Sequence, residues 1–99
     1  MASSKEVALG IASALGSEHC RDPFPMSFRG QTLSDAAQII IWILEECRDA
    51  DIPLARVALD PALRREIDDR ALGLDVQLLS DAKLNGEVRF YREPGGPAR

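Results

Sequence analysis

Apolar residues recur along this chain in two rhythms, one helical and one strand-like, and the stretch 32–52 carries the longest run of the first. It opens Thr-Leu-Ser-Asp-Ala-Ala-Gln, continues through six consecutive apolar residues at 39–44 (Ile-Ile-Ile-Trp-Ile-Leu), and closes on Glu-Glu-Cys-Arg-Asp-Ala-Asp-Ile. The flanks are rich in good helix formers, whereas the isoleucines and the tryptophan favour a strand. Length decides for helix, because about twenty residues without an internal Gly or Pro exceed an ordinary strand. Thr32 with Asp35 makes a capping-box variant, Ser34 is a second possible cap, and Pro53 marks the stop.

One stripe of that helix comprises Leu33, Ala36, Ala37, Ile40, Ile43, Leu44 and Cys47. Ile39, Ile41 and Trp42 add apolar surface outside the stripe, so the helix is apolar on every side for more than a turn. Such a helix is covered by its own fold or meets a second chain. A chain of about 100 residues buries only roughly two thirds of its unfolded surface, which favours the second chain.

The other periodicities are shorter. Residues 3–15 predict a helix, with Ser3 and Glu6 as a capping box, Val7, Ile11 and Leu15 on one face, and Gly16 as its end. It is either docked or a mobile arm. Residues 17–31 predict a loop with a strand near 26–29, in which Phe24, Met26 and Phe28 alternate onto one face. Residues 54–59 predict a second strand, with Leu54, Arg56 and Ala58 on one face and Ala55, Val57 and Leu59 on the other. Strand, helix, strand is the order of a crossover, so these two strands are expected to run parallel. Asp60 and Pro61 open a helix over 60–72, with Leu63, Ile67 and Ala71 inward, three i,i+4 ion pairs outward, and Gly73 closing it. Residues 74–93 predict a hairpin of strands 76–79 and 87–92 around Asn85-Gly86. In the last strand Val88 and Phe90 face one way, Arg89 and Tyr91 the other. The fold expected is a single α+β domain over residues 1–93, α-β-α-β-α-β-β. It has a small mixed four-stranded sheet, two main helices on one face and an extra N-terminal helix (1–16). Residues 94–99 are expected as a disordered tail.

The expected core is Ile11, Leu15, Phe28, Leu33, Ile40, Ile43, Leu44, Val57, Leu59, Leu63, Ile67, Val76, Leu78, Val88 and Phe90.

Charge narrows the list of partners. The 99 residues carry a net charge of −4, so nucleic acid is not the expected partner, since phosphate binding needs an excess of Lys and Arg. Residues 1–53 hold four basic and eight acidic side chains and residues 54–99 hold eight of each, which puts the negative excess in the first half. Lys5 and Lys83 are the only lysines, an arginine bias suggestive of a bacterial, GC-rich genome. The longest apolar run is far below the roughly 18 residues of a membrane span. The opening residues make a poor signal peptide. A cytoplasmic location with no membrane contact is expected.

Candidate chemistry is sparse. His19-Cys20-Arg21-Asp22 is the one cluster of reactive types, and Cys47 could join His19 and Cys20. Neither a metal-ligand spacing nor an oriented Cys–His pair is evident. Two cysteines are too few for a disulfide framework. Glu45, Glu46, Asp49 and Asp51 crowd a helix C-terminus, where the macrodipole disfavours anions; Arg48 offsets them locally and Arg56 could do so from downstream. No glycine-rich phosphate loop or nucleophile elbow is present. No catalytic residue, metal or cofactor is expected. The function expected is a non-enzymatic protein-interaction or assembly module, self-associating as a homodimer or meeting another protein through Phe24, Met26, Ile39, Ile41 and Trp42. The alternative is a small nucleic-acid-binding regulator using Arg89, Tyr91 and Arg92, because arginines beside aromatics on a sheet face are one way single strands are bound.

Overall fold

A computed structural model describes residues 4–17, 23–52, 54–70, 76–84 and 86–92. The elements are α1 (Ser4–Leu15), β1 (Phe24–Ser27), α2 (Leu33–Asp49), β2 (Leu54–Leu59), α3 (Pro61–Asp68), β3 (Gln77–Ser80) and β4 (Glu87–Arg92). The α+β class and the element order are those the periodicities predict. The expected features at Ser3, residues 71–73, Asn85 and the 94–99 tail lie outside the described residues.

Local chemistry sets the helix ends. The Thr32 hydroxyl accepts from the Asp35 N–H at 3.1 Å, and an Asp60 carboxylate oxygen accepts from the Leu63 N–H at 2.9 Å, with Pro61 at the first helical position. At the other end of α2 the Ile52 N–H donates to the Cys47 carbonyl at 2.8 Å and the Asp51 N–H to the Arg48 carbonyl at 3.2 Å. This is a Schellman motif, and Asp51 occupies its left-handed position with φ 57°. Glycine adopts that conformation without the Cβ clash, and its substitution also removes an anion from the negative end of the helix. Asp51→Gly is therefore expected to stabilise the chain by about 0.5–1 kcal/mol, read as a rise of roughly 4 °C in thermal melting.

The sheet order is β1-β4-β2-β3. β4 pairs antiparallel with both β1 and β2, and β3 pairs parallel with β2. β1 and β2 thus run in the same direction, as expected of a crossover, but β4 lies between them. The expected hairpin of the last two strands is not formed. A tight Asn-Gly turn requires its flanking strands to pair with each other; here residues 81–86 carry the chain across β2 instead. The crossing is held by the Asp81 N–H donating to the Leu59 carbonyl at 2.8 Å and the Lys83 N–H to the Asp81 carboxylate at 2.9 Å. Gly86 still takes a positive φ of 79°, and a Cβ there would stand 3.0 Å from Cγ of Arg29. Its carbonyl accepts from the Phe28 N–H at 2.7 Å, which extends the β1–β4 ladder.

Central placement lets β4 bond along both edges while Val88 and Phe90, both 0 % exposed, point into the core. A bulge in β2 between Leu54 and Arg56 alters the expected alternation. Leu54 lies opposite Arg92 and is buried, while Arg56 lies opposite Tyr91 and points outward. The extra residue moves Leu54 and Arg56, expected on one face, to opposite faces.

One hydrophobic cluster joins α1, α2, α3 and the helix-facing side of the sheet. α2 touches both other helices. Lys5 stands over Trp42 and Gly16 abuts Ile52, so α1 runs alongside the C-terminal half of α2 in the same direction. Ala8, Ile11, Ala12 and Leu15 face inward from α1. Most of the expected core is buried; Leu33 is the exception at 47 % exposure, and Val76 and Leu78 are only half-buried against the cluster. On α3, Arg64–Asp68 and Glu66–Arg70 pair at 3.5 and 3.4 Å. Arg70 also donates to the Ser34 hydroxyl at 2.9 Å and the Ser34 carbonyl at 3.1 Å, tying the end of α3 to the start of α2.

Candidate interaction surface

The apolar residues expected to meet a partner do not form an exposed patch. Ile39 and Ile41 are 2 % and 5 % exposed, so neighbouring elements of the same chain already cover them. Phe24, Met26 and Trp42 are half-buried and packed against the core, with Nζ of Lys5 5.9 Å from the Trp42 ring centroid. The packing of both α1 and α3 against α2 is what a count of apolar surface along α2 alone leaves out.

The reactive candidates fare differently. His19 and Cys20 lie outside the described residues. Cys47 is buried and its thiol is pushed up to about 11, first by desolvation and then by the neighbouring Glu46 carboxylate. A thiol held protonated is a poor nucleophile and a poor metal ligand at neutral pH. Folding therefore favours its protonated form, and that contribution is complete below the ordinary thiol pKa. As pH rises past about 9 the unfolded thiol ionises while the folded one stays protonated, so stability falls toward pH 11. A loss of roughly 2 kcal/mol is expected across that window, read by urea titration at successive pH values, and Cys47→Ala should flatten the slope.

At the acidic end of α2 Arg48 pairs with Asp49 at 3.5 Å, and both side chains are more than half exposed. Such a pair contributes little. Arg56 does not neutralise this end, since it faces outward from the sheet against Tyr91. Among the described residues no three His, Cys, Asp or Glu side chains converge to hold a metal ion.

The sheet itself has two unlike faces. Helices cover the side bearing Val57, Leu59, Val88 and Phe90, and no described element lies on the other. The strand register arranges that second face in rows across the sheet. One row runs Pro25, Arg89, Ala58, Leu79; the next runs Tyr91, Arg56, Gln77; Ser27 and Glu87 make a third. The Arg56 guanidinium carbon stands 5.1 Å from the Tyr91 ring centroid, a cation–π pair between directly opposed residues. Arg89 sits diagonally beside Arg56 on the adjacent strand. Among the described residues neither arginine has a carboxylate within ion-pair distance, and Glu87 is the one acid on the face.

Arg92, expected with Arg89 and Tyr91, belongs to the opposite face. Alternation along β4 turns it toward the helices, and it donates to the Ser17 carbonyl at 3.0 Å beyond the end of α1. The expected trio is thus split two and one. Arg56 keeps the outward face that alternation with the inward Val57 and Leu59 predicts, and the bulge instead turns Leu54 inward. No protein-family model matches this chain, and no curated protein or solved structure matches it either. No helix among the described residues is long and apolar enough to cross a membrane.

Proposed function

We propose that this chain is a non-enzymatic interaction module whose contact surface is the helix-free face of its sheet, and that its partner is another protein chain. The observation that carries the reading is the Arg56–Tyr91 stack beside Arg89, two cations without carboxylate partners among the described residues on a face that no described element covers. Arginine and tyrosine are the residue types that most often dominate binding energy when a partner desolvates them. The apolar side of α2 is a weaker candidate for the contact, because Ile39 and Ile41 are already covered. A single-stranded nucleic acid is the second reading. Tyr91 and Arg89 favour it, and the net charge of −4 opposes it.

If the face is held free for a partner, its arginines add little to folding. Arg56→Ala combined with Arg89→Ala should leave the unfolding free energy from urea titration within about 1 kcal/mol of the parent, the scale of exposed cation–π and ion pairs. A loss the size of a core truncation would make the pair structural and remove the motive for the proposal. Native mass spectrometry over a range of concentrations supplies the second check: an oligomer that survives this double variant would locate the contact elsewhere.

A further inference from the structure

We infer that the partner of this face is an extended, carboxylate-bearing protein segment, a step that rests on the sheet face being the contact surface. Arg56 lies opposite Tyr91 and Arg89 opposite Ala58, which makes the two arginines diagonal neighbours on adjacent antiparallel strands. Such neighbours stand roughly 7–8 Å apart. Alternate side chains of an extended chain project on one side at about 6.6–6.8 Å, twice the strand rise. A strand-like segment with acidic residues at alternate positions therefore offers one carboxylate to each guanidinium, whose planar fork suits that group. The half-buried Leu79 lies in the row of Arg89, with the buried Ala58 between them, and Gln77 beside Arg56 offers donors at the rim.

Other occupants fit less well. A second copy meeting this chain face to face would set two arginines against two arginines with one glutamate each to offset them. A nucleic acid would contact few cations, so counterion release would be small. It would also find one face of the Tyr91 ring occupied by Arg56, which leaves less of that ring for stacking a base.

The test is a titration of isotope-labelled protein, followed by amide NMR, with three probes: a peptide of alternating glutamate and valine, its glutamine–valine counterpart, and an oligouridylate, all at low ionic strength. The expected result is that the glutamate peptide alone binds. It should shift amides around Arg56, Ala58, Arg89 and Tyr91, weaken with added salt, and lose at least about tenfold in affinity in the Arg56→Glu, Arg89→Glu double variant, equivalent to about 1.4 kcal/mol. Oligouridylate binding at these residues with no response to the glutamate peptide would overturn the inference while leaving the face as the contact surface. Binding that maps elsewhere, binding indifferent to the double variant, or no binding of the glutamate peptide would each overturn it as well. The contact-surface reading is judged separately, by the stability of the alanine double variant and by its oligomeric state.

Discussion

Phe90→Ala lowers the stability of this chain by about 3–5 kcal/mol, the range for truncating a buried phenylalanine. Phe90 is 0 % exposed and sits on β4, one of the two inner strands, bonded on both edges. It lies opposite Phe24 on one side and Val57 on the other, so its ring spans three strands beneath the helices. The void left by its removal is bordered by ladder-bonded backbone, which cannot close in without breaking hydrogen bonds. Small domains are stable by only about 5–15 kcal/mol in total, so this one change removes a large part of the margin. Urea titration reads it as a lower midpoint at an unchanged slope. A loss below about 1 kcal/mol would mean that β4 is not an inner strand of the sheet.

Ile39→Asp has the second large effect, and it separates core from contact surface. With Ile39 2 % exposed, an aspartate there loses its hydration and finds no partner, at a cost of several kcal/mol. The expected outcome is loss of the cooperative thermal transition and of the helical circular dichroism signal. An isoleucine that met only a second chain would behave otherwise: the aspartate variant would be a folded, well-behaved monomer. Size exclusion and circular dichroism on the same sample distinguish the two.

The sequence carried the local structure well because local structure has local causes. The caps at Thr32 and Asp60 and Pro61 at the start of α3 act within a few residues of themselves, so they can be read in one dimension. The alternation of Val88 and Phe90 with Arg89 and Tyr91 was equally legible, since a strand turns each successive side chain to the opposite face. From these the α+β class, the element order and most of the core followed.

Only the tertiary structure decided the rest. Asn85-Gly86 is a strong hairpin signal, yet β4 was inserted between β1 and β2, because strand order depends on which edges can be paired and which faces buried at once. The bulge that turns Leu54 inward depends on the partner strand, and so does the stacking of Arg56 on Tyr91. Ile39 and Ile41 were apolar in excess of any one stripe, and whether they met their own chain or another molecule was a matter of how α1 and α3 docked on α2. Periodicity states which side chains need covering; what covers them is settled only when the elements pack together, and here that packing hides the apolar sides of α2 and leaves an arginine–tyrosine face that no described element covers.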